Sequence, residues 1–202
     1  MVLVDQNTRN VHLDWISEDN REILSLSVSM NERGILYKMT AVLLGYGWEI
    51  KEVVAETSSD GYVKDIFVIH SLLGEKLTDE LVHKMELDLR QLILNDLGVA
   101  EYLKQKNTDP AQFRKAAEKK IINVFNPETS DFSLIDIRTS DRVALLFDIS
   151  FFLFENDLDI ISFTAISNET MVRDSFLVLK KNGERLAEDE MARLSEELSA
   201  IV

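Results

Sequence analysis

Val63-Lys64-Asp65-Ile66-Phe67 and Val172-Arg173-Asp174-Ser175-Phe176 are two versions of one short segment, and their aspartates lie 109 residues apart. Gly74-Glu75-Lys76-Leu77 returns as Gly183-Glu184-Arg185-Leu186 at the same separation. Upstream, Glu32-Arg33-Gly34-Ile35-Leu36-Tyr37-Lys38 matches Asp141-Arg142-Val143-Ala144-Leu145-Leu146-Phe147-Asp148, with one additional residue after the arginine of the second copy. Several matches at one period are typical of an internal repeat. The sequence therefore predicts two homologous domains.

Each copy has the same order of predicted elements. In the first copy, leucine and valine alternate with serine over 24–28, the period of a half-buried strand, and apolar residues over 35–46 recur at helical spacing. Thr78 caps a second helix, whereas Ala187 at the corresponding place predicts a weaker helix start. The predicted elements are 24–30, 35–46, 48–57, 62–70 and 78–94 in the first copy, and 133–139, 145–155, 159–167, 171–179 and 188–200 in the second.

An additional extended segment precedes each copy, at 11–15 and at 121–125. The resulting β-β-α-β-β-α order predicts an α+β fold in which each domain is a four-stranded antiparallel sheet with two helices on one face. Asp109-Pro110 has the form of a helix cap followed by an N1 proline, so a linker helix is expected to run from there to about residue 120. The predicted organisation is domain 1 over 1–98, a helical linker over 99–120 and domain 2 over 121–202.

Composition narrows the classes of partner. The chain has 36 acidic and 22 basic residues, a formal charge of −14, which repels phosphate backbones and disfavours nucleic acid as a partner. It has no cysteine, and its first 20 residues lack the apolar stretch of a signal peptide. The longest apolar stretch, 145–154, is too short to span a bilayer. We therefore expect a cytoplasmic protein with no membrane partner.

Catalytic and metal-binding motifs are missing from the sequence. Its three histidines, His12, His70 and His83, have no spacing typical of metal ligands. No nucleophile elbow or phosphate-binding loop is found, and Gly45-Tyr46-Gly47 ends a predicted helix rather than opening one, unlike a dinucleotide fingerprint. We expect no enzyme activity, no cofactor and no metal site.

The two loop-to-helix segments, Arg33-Gly34-Ile35-Leu36 and Asp141-Arg142 with Leu145-Leu146, resemble the Asp-Arg-Pro-Gly-Leu-Leu motif of ACT domains. The segments beginning at Asp65 and Asp174 resemble the Asp-x-Phe-x-Val strand of the same family. The likeness covers nearly all of the chain outside about 98–120. It is nearest to the C-terminal ACT pair of the bacterial nitrogen-sensing uridylyltransferase and to ACT-repeat regulatory proteins, which implies a ferredoxin-like fold and a role in nitrogen metabolism.

The resemblance also implies where a ligand binds. ACT domains take amino acids where two domains meet, against the loop between the first strand and the first helix. A helix N-terminus offers unpaired N–H donors for a carboxylate, and a glycine lets a ligand approach the backbone. Gly34 provides this in the first copy and Ala144 stands in its place in the second, so we favour the first copy as the better site. The expected ligand-binding residues are Asn31, Glu32, Arg33, Gly34, Ile35, Leu36, Asp141, Arg142, Ala144 and Leu145.

Several of these residues have two interpretations. Arg33 and Arg142 either hold a ligand carboxylate or bond their own loop. Glu32 and Asp141 either receive an α-amino group or cap the following helix, and we favour capping.

The repeated Asp65 and Asp174 share a strand face with apolar neighbours, so each must be hydrogen-bonded. We favour a structural role for both, either a bond to a neighbouring turn or a strand-end bulge that turns the carboxylate outward.

The helix at 145–155 is apolar nearly all round, whereas a helix that covers one sheet needs a single apolar stripe. A second buried face is therefore expected, against the other copy, the linker or another chain. Together these features predict a regulatory protein that senses an amino acid or related metabolite at a domain interface, forms a homodimer and acts on an enzyme or protein partner. The alternative is a dimerisation or docking module that binds no ligand, because both loops lack the proline of the motif.

Overall fold

The computed structural model describes residues 10–19, 21–29, 31–94, 97–115, 117, 119–167 and 171–202, and Met30 at the end of one predicted strand lies outside them. The two copies show the predicted β-β-α-β-β-α order. The first copy contains β1 (Val11–Glu18), β2 (Arg21–Val28), α1 (Ile35–Gly45), β3 (Trp48–Thr57), β4 (Val63–Ser71) and α2 (Asp79–Leu94). The second contains β5 (Lys120–Phe125), β6 (Ser133–Ser140), α4 (Leu145–Glu155), β7 (Leu158–Ser167), β8 (Met171–Lys180) and α5 (Glu188–Ile201), and α3 (Val99–Gln105) lies between the copies.

The strands form one antiparallel sheet rather than two separate four-stranded sheets. Its order is β1-β2-β4-β3-β7-β8-β6-β5. The first copy, with β1–β4, and the second copy, with β5–β8, are the two halves of the molecule, and they join where β3 pairs with β7. Each half on its own would leave β3 or β7 as an unpaired edge, and pairing satisfies the backbone groups of both. This eight-stranded sheet is compatible with two ferredoxin-like units, and the domain boundaries predicted from the sequence stay a prediction.

A local two-fold axis relates the two halves. Val54 lies opposite Thr164 in the β3–β7 pair, and the register is symmetric about this position. The same axis passes between α1 and α4, where the hydroxyl oxygens of Thr40 and Ser150 are 3.2 Å apart. Both pairs are separated by 110 positions in the sequence, so the cross-half contacts come in related pairs.

The loops before α1 and α4 correct the alignment made from the sequence. Val28 pairs with Val63, and Thr139 pairs with Val172, so these are equivalent strand ends. Gly34 and Ala144 are the equivalent residues before the helices, so the second loop is one residue shorter in total, although one additional residue, Val143, follows its arginine as expected. Arg33 therefore adjoins its helix cap directly, whereas Arg142 lies one residue farther away. The two arginines are not at equivalent positions, because the copies must be aligned on their left-handed helix caps, Gly34 and Ala144.

Helix α4 has the second buried face that its composition predicts. It packs on β7, on α5 and, across the local axis, on α1. The Tyr37 ring of α1 contacts three α4 phenylalanines, with ring centroids 5.1 to 5.4 Å apart. Burial of such rings stabilises a fold by roughly 1.5–3 kcal/mol each. The excess apolar surface thus joins the two halves.

The predicted linker helix over 110–120 is wrong. Asp109 caps the segment as expected, accepting a hydrogen bond of 2.9 Å from the amide of Ala111, but only a 3-10 turn, Pro110–Phe113, follows. Arg114 is already extended, and its guanidinium reaches Asp148 of α4. A cap and an N1 proline define where a helix starts, and the tertiary contact of Arg114 decides where this one ends.

The N-terminal caps of α2 and α5, the last helix of each copy, differ as the sequence predicts. Thr78 Oγ1 accepts a hydrogen bond from the amide of Leu81 at 3.2 Å. Ala187 has no side-chain oxygen to offer, and its own amide donates to the Glu190 carboxylate at 2.7 Å. Of the two hydrogen bonds of a capping box, α5 therefore has only the one from the cap amide to the glutamate side chain. None of the helices in the described part is long and apolar enough to cross a membrane.

Candidate functional site

Two cavities lie at the boundary between the halves and are related by the local axis. We call them the Gly34 cavity and the Ala144 cavity, after the residue before α1 and the residue before α4. Each has the loop and helix start of one half on one side and strand residues of the other half on the other side. The Gly34 cavity is lined by Asn31–Tyr37, Ala55, Thr57, Val63, Asp65, Ser150, Phe154 and Leu158–Ile160. The Ala144 cavity is lined by Thr40, Leu44, Trp48–Lys51, Asp141–Phe147, Ala165, Ser167, Val172 and Asp174.

The helix start at the Ala144 cavity provides hydrogen-bond donors. Ala144 has a φ of 63°, a left-handed conformation uncommon outside glycine. The first helical bond runs from the amide of Asp148 to the carbonyl of Ala144 at 3.0 Å. The amides of Leu146 and Phe147 precede that bond and have no acceptor within the helix. They are suited to an anionic group, which the helix dipole also favours.

Trp48 adds a further donor from the other half. It begins β3, lines the Ala144 cavity and is 1% exposed. Its indole Nε1 is buried with no hydrogen-bond partner in the part of the chain that the structure describes. A buried indole N–H normally has a hydrogen-bond partner, so an unpaired one in a residue of the cavity wall is unusual.

Charged side chains in the Ala144 cavity are mostly paired with one another. Asp141 accepts a hydrogen bond of 2.6 Å from the Ser167 hydroxyl and lies 3.5 Å from the Lys51 ammonium. Lys51 also pairs with Glu49 at 2.9 Å. Burial alone would lower the pKa of Lys51, but the two carboxylates outweigh it and raise that pKa. This lysine therefore stays charged.

Asp174 is the exception among the charged groups of this cavity. It lies in the middle of β8, opposite Ile137 and Ala165, and is 2% exposed. None of the described residues donates a hydrogen bond to it. Burial, and then the nearby Asp141 carboxylate, raises its pKa to about 7. The carboxyl is thus half-ionised near neutral pH inside an apolar sheet face.

Arg142 lines the cavity, but its guanidinium is committed elsewhere. It donates to the Asp148 carboxylate at 2.8 Å and to the carbonyl of Ile201 at 3.1 Å, and its side chain is 7% exposed. Arg114 donates to the same carboxylate at 2.8 Å. Two arginines thus neutralise one buried aspartate and fix the linker segment to α4.

The Gly34 cavity differs because an aromatic ring fills the space above its glycine. Gly34 has a φ of +83°, and a Cβ built on it would lie 2.6 Å from Cδ2 of Phe154. The Arg33 guanidinium lies over the same ring, 4.6 Å from its centroid, and forms an ion pair with Asp157. The space that the missing side chain of Gly34 leaves is therefore filled by Phe154 of the other half, whereas the sequence predicted that a ligand would approach the glycine there. Leu44, which the local axis relates to Phe154, lines the Ala144 cavity, and its side chain is smaller than a phenylalanine ring.

Asp65 is the counterpart of Asp174 in the Gly34 cavity. It is 2% exposed, and burial raises its pKa to about 7 although a backbone hydrogen bond with Glu56 lowers it. Within the described residues, neither aspartate bonds a turn or is turned outward by a bulge, so neither favoured structural explanation holds there. The bulges lie in β3 and β7 instead, at Ile50/Glu52 and Ile160/Ser162.

The predicted site residues divide between the two cavities. Neither Glu32 nor Asp141 caps its helix, since Gly34 and Ala144 are the caps and no side chain bonds the first turn. Sequence reasoning missed the cavity walls that come from the other half, such as Trp48 and Lys51, because no motif marks them. Asn31, Glu32, Arg33, Gly34, Ile35 and Leu36 line the first cavity, and Asp141, Arg142, Ala144 and Leu145 line the second.

A third, open groove of about 630 Å³ lies between the linker and the helices, with Tyr37, Phe147 and Phe151 on one side and Leu103 and Pro110 on the other. No group of three or more side chains suited to a metal ion occurs within the described ranges.

Comparison with known proteins leaves the family open. A scan against models of protein families and a search of curated proteins gave no match. Among solved structures, the chain resembles aspartate kinase from Synechocystis with a TM-score of 0.44 and 14% identity, over 89% of this chain and 26% of that one. It thus spans about a quarter of that enzyme's length. A double-ringed trimeric shell protein of the RMM microcompartment gives a TM-score of 0.29 and 9% identity, over 90% of this chain and 82% of that one. Neither likeness assigns a function.

Proposed function

We propose that this chain is a regulatory protein of the tandem ACT type, without enzyme activity, that binds an amino acid or related metabolite between its two halves. The observation that carries the proposal is the Ala144 cavity. There, among the described residues, Leu146 and Phe147, whose amides have no acceptor within α4, and Trp48, whose indole N–H has no partner, come from opposite halves and line one cavity of about 50 Å³. These donors suit a small carboxylate. The resemblance of the loop and strand motifs to ACT domains, including the nitrogen-sensing pair, supports the same function.

Binding in the Ala144 cavity would change how stably the two halves pack against each other. A ligand that contacts both α4 and β3 stabilises the arrangement in which they meet, and it can shift an equilibrium only through such a difference in affinity. At about 100 times its Kd, a ligand adds roughly 2.7 kcal/mol to the free energy of unfolding. A protein or enzyme partner that recognises one packing of the halves would receive the signal. We place this activity in the cytoplasm, with no cofactor, metal, nucleic acid or membrane involved.

The test is a thermal-shift screen against the twenty amino acids and common nitrogen metabolites. We expect one selective compound to raise the melting temperature. The Trp48→Phe variant keeps the ring but loses the N–H donor, so the shift should shrink at equal ligand concentration. Trp15→Phe is the matched control, because the Trp15 indole donates to Asp79 at 3.0 Å, away from both cavities. No response to any compound would contradict the proposal.

A second candidate, an assembly module, is favoured by the uncovered face of the sheet. Val54, Ile66 and Ile166 lie on neighbouring strands near the local axis and are 48%, 39% and 64% exposed. Adjacent exposed apolar side chains are typical of an interaction surface. The homodimer expected from the sequence would use this face. Light scattering of the wild type and of Ile166→Glu tests it, since a dimer through this face should dissociate in the variant, and a monomeric wild type would exclude it.

A further inference from the structure

A buried carboxyl without a partner is unusual in a strand that has apolar neighbours on both sides. The Asp174 side chain meets Ile137 and Ala165 on the adjacent strands, and it is sequestered from solvent except where it lines the Ala144 cavity. Burying a carboxylate costs several kcal/mol unless a cation or donors compensate. Nothing within the described residues compensates Asp174. The carboxyl is neutral when protonated, and its ionised form would be stabilised by a cation in the cavity that it lines.

The charges that face Asp174 favour a cation. Asp141 and Glu49 line the same cavity as carboxylates, and they share the single ammonium of Lys51. Arg142 is turned to Asp148, so its charge is already paired. With Asp174 ionised, three carboxylates line the cavity together with one ammonium group, that of Lys51, which already pairs with the other two. A second ammonium group would give Asp174 a counter-ion of its own.

We infer that Asp174 receives the protonated amine of the ligand in the Ala144 cavity, which restricts the ligand to small molecules that carry both an ammonium and a carboxylate group. The inference rests on the proposed function and names the ligand class of that site. The carboxylate end meets the amides of Leu146 and Phe147 and the indole of Trp48, and the ammonium end meets Asp174. Residues with donors and a residue with an acceptor thus line one cavity, which suits the two charges of an α-amino acid.

Proton linkage follows from this contact. The free carboxyl has a pKa of about 7, so it is mostly protonated at pH 6 and mostly ionised at pH 8. An ammonium group binds the ionised form, so binding releases a proton and the affinity should rise about tenfold between pH 6 and pH 8. A ligand held only by the helix amides and Trp48 would show no such dependence.

Asp65 supplies a matched control within the same chain. It has the same strand position, the same exposure of 2% and a similarly raised pKa, but it forms a backbone hydrogen bond with Glu56. The charged groups that line its cavity are Glu32, Arg33 and Asp159, and Phe154 fills the space above Gly34. Asp65→Asn therefore changes the same chemistry at a site that we do not expect to bind.

The experiment compares amino acids with hydroxy acids of the same skeleton. L-alanine, L-aspartate and L-leucine are tested against L-lactate, L-malate and L-2-hydroxyisocaproate by thermal shift, within the wider amino-acid screen. Calorimetric titration of the responding amino acid then follows at pH 6 and pH 8, on the wild type, Asp174→Asn and Asp65→Asn. We expect a response to the amino acid alone, at least tenfold weaker binding to Asp174→Asn, and unchanged binding to Asp65→Asn.

The possible failures are distinguishable. An equal response to the hydroxy acid, or an Asp174→Asn variant that binds as tightly as the wild type with no pH dependence, overturns the role of Asp174 and leaves the sensing function standing. If no amino acid binds at either pH, the sensing function fails and the role of Asp174 fails with it. Circular dichroism of each variant shows that a loss of binding does not come from unfolding.

Discussion

The side chains of Asp174 and Asp65 are both buried, which makes ionisation of their carboxyl groups unfavourable. Their folded-state pKa of about 7 lies above the ordinary value of 3.8, so between these values the folded state binds more protons than the unfolded state. The free energy of unfolding therefore falls as pH rises through this window and levels off above about pH 8. Buried groups of this kind reduce stability and are concentrated at functional sites.

We predict that Asp174→Asn stabilises the protein, and more at high pH than at low pH. From the raised pKa, the gain at pH 8 should exceed the gain at pH 5 by about 2–3 kcal/mol. Urea unfolding of wild type and variant at the two pH values measures this difference. A gain that is the same at both would mean that the carboxyl titrates normally in the folded state.

The helix caps Gly34 and Ala144 occupy equivalent positions, but the other half contributes different residues to their cavities, Phe154 for Gly34 and Leu44 for Ala144. A methyl group on Gly34 would meet Phe154 at 2.6 Å in a left-handed conformation, whereas the residue that the local axis relates to Phe154 in the Ala144 cavity is the smaller Leu44. We predict that Gly34→Ala lowers the free energy of unfolding by about 2–3 kcal/mol, from strain and overpacking together.

Addition of Phe154→Leu should recover part of that loss, because the double variant reproduces the Ala144–Leu44 pair. Chemical denaturation of the two single variants and the double variant forms the cycle that measures this coupling. Strictly additive effects would show that the ring does not occupy the space above Gly34.

At the level of elements, the attachment of the linker to α4 depends on one buried charge. The Asp148 side chain is 1% exposed and pairs with Arg114 and Arg142 at 2.8 Å each. Asp148→Asn leaves the nearly buried Arg142 without a counter-ion, and we predict a loss of about 3 kcal/mol. Glu197→Gln is the control, since its pair with Arg193 is about half exposed and should contribute less than about 1 kcal/mol. Equal losses in thermal or urea unfolding would show that the Asp148 charge does not hold the linker to α4.

The elements themselves could largely be predicted from the sequence. Alternation in β4 and β8 placed Asp65 and Asp174 on the buried face, and helical spacing marked α1 and α4 to within a residue or two. Local patterns failed where distant contacts decide the structure. The 3-10 turn at Pro110 ends because Arg114 turns to α4, and matching the two arginines by identity hid the different loop lengths.

At the level of the whole molecule, the site depends on how the two halves meet. The β3–β7 pairing joins residues about 110 positions apart, and no local pattern encodes such a contact. The loop residues of each cavity were therefore predictable, whereas the facing residues, including Trp48, were not. The same pairing explains why the cavities are related but unequal: the axis repeats their positions, and the side chains at those positions have diverged.

The chain has two tryptophans, and their indole signals report directly on whether an amino acid binds in the Ala144 cavity. In a ¹H–¹⁵N NMR titration of the wild type with each of the twenty amino acids, we predict that one of them shifts the Trp48 indole N–H signal. The Trp15 signal, already bonded to Asp79, should stay in place. Single Trp→Phe variants assign the two signals. If every amino acid leaves the Trp48 signal unmoved at millimolar concentration, the Ala144 cavity is not an amino-acid site.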